Sequence, residues 1–250
     1  MRRGLLLDPA DFYGKGRWKK MPITLSPRLR RIADFVLPGA VVADVGTDHA
    51  YIPIWLLQSG VSAHAVATDI KPGPLRNALR DAERCGVSEC LTLTLCDGLV
   101  GVDPDGVDTV IAAGMGGETI QNILAAAPWS WEKRLILQPQ TKFYELRRWL
   151  RDHGLRIADA ALSYDAGRLY LVWLVERGEG EIDDYPIDRA LIEKRDPLLR
   201  HYLEEQIKRL LSQTQGMARS DRADAETLRR LQTELQTLQT LYQEVKTWQA

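Results

Sequence analysis

The chain has 250 residues, with 33 lysines and arginines against 34 aspartates and glutamates, and 45% of its residues are hydrophobic. This is the composition of an ordinary globular protein that can bury one substantial core and carry an appendage. No apolar run approaches the roughly 20 residues that a membrane-spanning helix needs. The three cysteines form no C-x-x-C pair, which argues against a disulfide framework or a zinc site. We expect a cytoplasmic protein without a metal.

The first 31 residues carry a local excess of positive charge. They contain nine lysines or arginines and two aspartates, which gives a local net charge of +7. Such a segment can neutralise nucleic-acid phosphates, or it can be a solvated disordered tail. Because Met21 is a plausible start, we interpret residues 1–21 as an extension outside the folded domain. Arg28, Arg30 and Arg31 fall on a helix and do not share this ambiguity.

Strands and helices alternate in the next part of the chain. A helix begins near Pro27, and either Thr24 or Ser26 can cap it. Apolar runs predict strands at Val41–Val45, Ala63–Ile70, Leu91–Cys96, Thr109–Ala113 and Leu135–Leu137. Helical patterns lie between them, near residues 51–59, 73–85, 117–127 and 142–152. This alternation predicts a parallel sheet covered by helices on both faces, which is a doubly wound α/β domain.

Two β-rich runs, Leu155–Tyr164 and Leu169–Val175, then follow each other with four residues between them. So short a connection predicts an antiparallel hairpin rather than another crossover. A hairpin that completes a parallel sheet is typical of class I methyltransferases and is absent from the usual dehydrogenase half-domain. We therefore expect a Rossmann-like domain of this class over residues 22–178.

The remainder of the chain is predicted to be helical. Apolar residues recur every three or four positions over Leu228–Val245, a heptad pattern, and a second apolar stripe covers Leu199–Met217. With a turn in Gln215–Asp221, residues 183–250 would form an antiparallel coiled-coil hairpin, and a dimeric coiled coil is the alternative. Residues 188–250 contain eleven basic and ten acidic side chains. This arm is therefore not a simple electrostatic clamp.

The clearest chemical signal lies in the loop after the first strand of the α/β domain. It reads Asp44-Val45-Gly46-Thr47-Asp48-His49-Ala50-Tyr51, and Asp69 ends the next strand. Gly46 permits a sharp turn beneath a ligand, and a carboxylate at the end of the second strand can bind ribose hydroxyls. Dinucleotide sites use three glycines to hold a pyrophosphate, whereas this loop has one glycine and two carboxylates. The pattern favours a nucleoside cofactor with a positively charged end, which describes S-adenosylmethionine.

Two further loops should meet at the same edge of the sheet. Asp97 can accept a hydrogen bond from the adenine amino group, while Gly98 permits close approach. Residues 112–117 hold three glycines within four positions, which indicates that a flat group passes close to the backbone. This loop lacks the polar-Pro-Pro-aromatic motif with which amino-directed base methyltransferases grip an exocyclic nitrogen. A ring nitrogen is therefore the favoured acceptor, and its own lone pair removes the need for a dedicated general base.

The chain resembles the bacterial tRNA adenine N1-methyltransferases that act on position 22, in the D-arm region. The resemblance rests on the helical tail and on Leu25-Ser26-Pro27-Arg28-Leu29, the Asp44–Tyr51 loop, Ala113-Gly114-Met115-Gly116-Gly117 and Leu137-Gln138-Pro139. It covers residues 22–250 and implies a Rossmann-like catalytic domain, S-adenosylmethionine as methyl donor, 1-methyladenosine as product and a coiled-coil domain that helps to engage tRNA.

Roles for particular side chains follow from this resemblance. The expected cofactor-binding residues are Arg28, Asp44, Gly46, Thr47, Asp69, Ile70, Asp97, Gly98, Ala113 and Gly114. The expected residues on the acceptor side are Asp48, His49, Tyr51 and Met115. Adenine N1 lies on the Watson–Crick edge, so a paired base must leave its helix before it can react. Tyr51 could then stack on the base, and Asp48 could stabilise the cationic product.

Three alternatives stay open on the sequence alone. An NAD-dependent dehydrogenase is disfavoured by the single glycine at position 46 and by the terminal hairpin. A non-catalytic RNA-binding protein could use the helical arm for partners and keep a degenerate pocket. A small-molecule methyltransferase would share the same catalytic domain. The arm and the three arginines of the first helix favour a large polyanion, tRNA, bound by a monomer.

Overall fold

The computed structural model describes residues 5–6, 22–178, 186–218 and 224–248. A mixed sheet of eight strands, in the order β1-β4-β3-β2-β5-β6-β8-β7, lies at its centre. The strands are β1 (Leu5–Leu6), β2 (Val42–Val45), β3 (Ala65–Asp69), β4 (Leu91–Leu95), β5 (Thr109–Met115), β6 (Arg134–Pro139), β7 (Leu155–Asp165) and β8 (Arg168–Arg177). Strands β2 to β6 are mutually parallel, and β8 lies antiparallel between β6 and β7. The predicted Rossmann-like class I architecture is confirmed.

Helices cover both faces of this sheet. They are α1 (Pro27–Ala33), α2 (Tyr51–Gln58), α3 (Pro72–Cys85), α4 (Gly117–Ala126), α5 (Phe143–Asp152), α6 (Arg189–Glu193), α7 (Leu199–Ala218) and α8 (Ala225–Trp248). Successive strand residues point to opposite faces, so Val42 packs in the core beneath α1, α2 and α3, while Ala43 belongs to the core shared by α4, α5, α7 and α8. Of the two capping candidates, Ser26 caps α1, because its hydroxyl accepts a hydrogen bond from the amide of Leu29.

The hairpin of β7 and β8 has a tighter turn than the sequence suggests. Asp165 pairs with Arg168, which leaves only Ala166 and Gly167 between the strands. Both turn residues have positive φ, 48° and 79°, as a two-residue turn between right-twisted strands requires. The strands therefore continue to the edge of the turn instead of ending one or two residues earlier.

The C-terminal arm docks on the core of the α/β domain. Its buried residues join the cluster that contains Trp173 of β8; they include Leu203, Leu210, Leu231, Leu238, Leu241 and Val245. Helices α7 and α8 run antiparallel, since the Tyr242 hydroxyl donates to Glu204 near the start of α7. Leu241, which lies outside the heptad spacing, is also buried, at 3% exposed, and belongs to the same cluster.

The predicted turn at Gln215-Gly216-Met217 is wrong, because α7 continues through Ala218. A Cβ on Gly216 would meet no side chain within 4 Å, and a single glycine lowers helix stability by only about 1 kcal/mol relative to alanine. Packing of the apolar stripe outweighs that cost. The later part of the predicted turn, residues 219–223, lies outside the described residues.

The predicted N-terminal extension is described only at Leu5–Leu6. These two residues pair antiparallel with β4, with Leu5 opposite Leu95. The rest of residues 1–21, and with it the expectation that the extension is disordered, lies outside the described residues.

Candidate active site

The first three loops are bound to each other by backbone hydrogen bonds at the carboxyl edge of the parallel strands. The amides of Gly46 and Thr47 both donate to the carbonyl oxygen of Thr68, at 2.9 and 3.0 Å. The amide of Cys96 donates to the carbonyl of Asp69 at 3.1 Å. The Thr68 hydroxyl in turn donates to the Gly98 carbonyl at 2.8 Å. The sheet itself therefore fixes the spacing between the loops that follow β2, β3 and β4.

Asp44 is the most deeply buried carboxylate of this edge. Its Oδ2 accepts a hydrogen bond of 2.8 Å from the Thr47 hydroxyl, whose oxygen also accepts the amide of Ala50 at 3.0 Å. Burial raises the pKa of Asp44 to about 6, and the Thr47 hydrogen bond offsets part of this effect. The Thr47 hydroxyl is thus engaged within the loop, where it orients Asp44 and closes the turn into α2.

Gly46 lies where the first loop, after β2, contacts the fourth loop, residues 112–117 at the end of β5. Its φ is +72°, and a Cβ there would lie 3.0 Å from Cε of Met115. The left-handed conformation favours glycine, and a Cβ would have to displace the end of the Met115 side chain. The Met115 side chain, expected on the acceptor side, therefore lies directly against the loop that carries Asp44.

Packing within the protein explains why glycine occupies positions 98 and 117. A Cβ on Gly98 would lie 3.1 Å from Ile123 of α4, and one on Gly117 would lie 2.7 Å from the Lys142 carbonyl oxygen. Helix packing and a φ of +59° already favour glycine at position 98, and the approach of a ligand to Gly98 stays a prediction. Gly114 is exposed, and a Cβ there would lie 3.4 Å from the Arg28 guanidinium. Of the three glycines at the end of β5, Gly114 is the most exposed to solvent.

Asp69, Ile70 and Asp97 lie at the rim of the same edge. Asp69 accepts the Lys71 amide through Oδ1 at 2.7 Å, which orients the carboxylate at the end of β3. Ile70 is 63% exposed, and Asp97 is also exposed. The partly buried Ala113 precedes Gly114 at the end of β5. These side chains share the edge that the sequence predicts, while their contacts with a ligand stay predictions.

A network that the sequence analysis missed joins α1 to the fourth loop. Gln138 of β6 is 1% exposed, and its Oε1 accepts hydrogen bonds from Arg28 at 3.0 Å and from the Gly114 amide at 3.1 Å. Its Nε2 donates to the Pro139 carbonyl at 3.0 Å. Gln138 therefore fixes both the Arg28 guanidinium and the exposed glycine. The sequence position of Gln138 could have indicated this role, because Gln138 lies near the carboxyl end of β6, at the same edge as the four loops.

His49 is held by a second missed residue, Asp81 of α3. The two side chains approach to 2.6 Å between Nδ1 and Oδ2, and Arg84 donates to the other Asp81 oxygen at 3.2 Å. The His49 ring stacks on Tyr51, with centroids 5.0 Å apart, and its Nε2 lies 3.6 Å from Asp48. The structure thus brings three predicted acceptor residues together. Asp81 was detectable as a carboxylate on the apolar face of its helix.

In residues 5–6, 22–178, 186–218 and 224–248, no group of three or more histidine, cysteine, aspartate or glutamate side chains is placed to hold a metal ion. Nor does any helix within these ranges have the length and apolar character needed to cross a membrane.

Comparison with known proteins identifies the family. The model for the methyltransferase domain matches residues 25–173. The chain is 33% identical to the tRNA (adenine(22)-N(1))-methyltransferase of Bacillus subtilis strain 168 over 159 residues, which are 63% of this chain and 67% of that protein. The chain belongs to this family of tRNA (adenine(22)-N(1))-methyltransferases. The family predicted from the sequence motifs is therefore confirmed.

Solved structures of the family have the same fold. The crystal structure of the B. subtilis M1A22 tRNA methyltransferase TrmK superposes with a TM-score of 0.76 at 26% identity, over 88% of this chain and 99% of that one. A Streptococcus pneumoniae protein in complex with S-adenosyl-L-methionine gives a TM-score of 0.75 at 30% identity, over 88% of this chain and 100% of that one. Methyltransferases of this family bind S-adenosylmethionine, as predicted.

Proposed function

We propose that this protein transfers a methyl group from S-adenosylmethionine to N1 of adenine 22 in the D-arm region of tRNA, giving 1-methyladenosine. The observation that carries the proposal is the carboxyl edge of the sheet. There three left-handed glycines, a buried aspartate and two rim carboxylates converge in a member of the tRNA (adenine(22)-N(1))-methyltransferase family. An NAD-type pyrophosphate would meet negative charge at this edge instead of a glycine-rich loop.

The residues of the edge fit the nucleoside and the cationic end of this cofactor. We assign Asp69 to the ribose hydroxyls and Asp97 to the adenine amino group, since carboxylates accept hydrogen bonds from both. Asp44 faces the positively charged end, where its carboxylate attracts the cofactor. Bound S-adenosylmethionine supplies a methyl group on a positively charged sulfur. The remaining residues that line it are Arg28, Gly46, Thr47, Ile70, Gly98, Ala113 and Gly114.

We place the acceptor base beside His49, Tyr51 and Met115. Tyr51 is 41% exposed, so its ring is available to stack on a flipped adenine. The N1 lone pair is the nucleophile, so the task of these side chains is to align it and exclude water. Asp48 stabilises the positive charge that the base acquires on methylation.

We propose a division of labour along the chain. Residues 22–178 form the catalytic domain, residues 183–250 form an antiparallel coiled-coil hairpin that engages tRNA, and residues 1–21 are an extension. The antiparallel course of α7 and α8 supports the hairpin, and their docking on the domain core supports a monomer over a dimeric coiled coil. A tRNA substrate also favours a cytoplasmic location.

Nucleoside analysis tests this function. Purified protein is incubated with methyl-labelled S-adenosylmethionine and unmodified tRNA, the tRNA is digested, and the labelled nucleoside is identified by mass spectrometry. We expect 1-methyladenosine, and we expect the Asp44→Ala variant to lose it. Label in N6-methyladenosine would contradict the ring-nitrogen acceptor, and label only in small molecules would contradict the tRNA substrate.

A further inference from the structure

A groove separates the α/β domain from its C-terminal arm. It has a volume of about 740 Å³ and lies between α5 on one side and α7 and α8 on the other. Apolar side chains such as Phe143, Leu210 and Leu238 line it together with long polar side chains. Asp188, just before α6, joins the α5 wall to the sheet, because it accepts a hydrogen bond of 2.8 Å from Trp173 of β8 and pairs with Arg147 of α5 at 2.8 Å.

The lining of the groove has a net positive charge. Its charged residues are the anions Glu145 and Glu234 and the cations Lys142, Arg147, Arg148, Arg151, Arg209 and Arg230. Arg147 is neutralised by Asp188, and Arg148 and Arg151 lie 3.9 and 3.6 Å from Asp152. Glu234 is half-buried, and burial raises its pKa although Arg209 and Arg230 lower it. Most of the positive charge thus comes from α5 and the residue before it, and the arm adds Arg209 and Arg230 from the facing wall.

The groove begins next to the candidate active site in the chain. Lys142 lines the groove and directly precedes α5, and the two residues before Lys142 are bonded to the loop that follows β5. The Gln140 amide donates to the Met115 carbonyl at 2.9 Å, and the Gly117 amide donates to the Thr141 carbonyl at 2.9 Å. A polyanion bound along α5 would therefore reach the edge where the methyl group is transferred.

An exposed aromatic ring marks the wall of the groove. Tyr144 is 45% exposed, and the guanidinium carbon of Arg230 lies 4.6 Å from the centre of its ring. Cation and ring come from α8 and α5, so this contact spans the groove. A phosphate can bind the guanidinium while a base or ribose packs on the ring, as in proteins that bind nucleic-acid strands.

We infer that this groove binds the phosphate backbone of the tRNA substrate and directs its D-arm region to the carboxyl edge of the sheet. The inference rests on the proposed function, and it assigns Arg209 and Arg230 to phosphate contacts. It also identifies which side of the arm meets RNA. Lys208 lies in a separate depression between α7 and α8, and Arg229 is not part of the groove lining.

Two double variants that differ by one position on each helix test the inference. Arg209→Gln/Arg230→Gln removes two cations from the groove, and Lys208→Gln/Arg229→Gln removes two exposed cations outside it from the same helices. Affinity for unmodified tRNA is measured by filter binding over a range of salt concentrations. We expect the groove pair to weaken binding about 10-fold at low salt and to reduce the slope of log K against log salt by about 2, since each lost phosphate contact removes about one unit. The control pair should change affinity less than about twofold, because it loses no phosphate contact.

The affinity for S-adenosylmethionine, measured in parallel, shows that the domain is intact in each variant. If the Arg209→Gln/Arg230→Gln variant alters folding, the single variant Arg148→Gln on the α5 wall replaces it. It should reduce the slope of log K against log salt by about 1. Equal effects of the two pairs, or an unchanged salt slope in the groove pair, would overturn the groove while leaving the methylation proposal standing. A wild-type protein that binds tRNA but forms no 1-methyladenosine would overturn the proposed function alone, and the groove is then judged by the binding comparison. No tRNA binding by the wild type would overturn both.

Discussion

The carboxyl edge of the sheet and the basic groove are built in opposite ways. At the edge, short loops follow consecutive parallel strands, and the Thr68 carbonyl holds two amides of the first loop within 3.0 Å. In the groove, the cations come from α5, α7 and α8, and Lys142 and Arg230 are far apart in the chain but line the same space. The edge is therefore encoded locally, whereas the groove exists only when the arm docks on the domain.

This difference predicts that substitutions can impair cofactor binding and tRNA binding independently. Changes at the edge should remove cofactor affinity or turnover and leave tRNA affinity unchanged, because the groove is lined by other residues. Changes in the groove should lower tRNA affinity and leave cofactor affinity unchanged. Four predictions test the edge side of this comparison, in order of decreasing effect.

The largest effect is expected from Asp69→Ala. Loss of the carboxylate removes two charge-assisted hydrogen bonds to the ribose, each worth about 1.5–3 kcal/mol, so affinity for S-adenosylmethionine should fall about 100-fold or more. Isothermal titration calorimetry measures it, and Asp105→Ala, an exposed carboxylate before β5, is the control. A tRNA affinity that falls in parallel would contradict the separation of the two regions.

Gly46→Ala should weaken cofactor binding about 10-fold, because the new methyl group displaces Met115 next to the proposed cofactor position. The left-handed backbone costs alanine about 1–2 kcal/mol of stability in addition. Gly60→Ala is the matched control, since its φ of +70° is nearly the same and a Cβ there would meet no atom within 4 Å. Both variants should lose similar thermal stability from backbone strain, and only Gly46→Ala should lose cofactor affinity. Equal affinities in the two variants would place the ligand away from Gly46.

Cofactor affinity should also depend on pH through Asp44. With its pKa raised to about 6, this carboxyl is ionised above that pH and becomes neutral below it. Attraction to the positively charged cofactor is therefore present at pH 8 and lost on acidification. We expect affinity to fall about tenfold between pH 7 and pH 5, since about one carboxyl in ten stays ionised one unit below its pKa. Titrations of Asp44→Asn should give weak binding with no step near pH 6.

The smallest effect is expected from Asp81→Asn. This substitution keeps the shape of the side chain that contacts His49 and removes its charge, so the ring loses orientation while the cofactor residues stay in place. We expect kcat to fall roughly fivefold with unchanged affinity for S-adenosylmethionine, in the lower range of effects from residues that orient a reacting group. Steady-state kinetics that show only a raised KM for the cofactor would assign Asp81 to cofactor binding instead.

The sequence carries enough information for the edge because its signals are local. Strand ends, the single glycine at position 46 and the aspartate that closes β3 follow directly from the alternation of elements. The roles of Gln138 and Asp81 could not be predicted in this way, because their partners, Arg28 and His49, are distant in the chain. The extra length of α7 and the burial of Leu241 have a similar cause, since tertiary packing of the apolar residues overrides helix propensity and the heptad pattern.

The central claim is methyl transfer to N1 of one base, and primer extension tests it most directly. A methyl group at N1 blocks the Watson–Crick edge, so reverse transcriptase stops at the modified base. Two transcripts of one tRNA, with adenine or guanine at position 22, are incubated with the protein and S-adenosylmethionine. We predict a new stop at position 22 in the adenine transcript and none in the guanine transcript. Methyl incorporation into both transcripts, without a stop at position 22, would contradict the account.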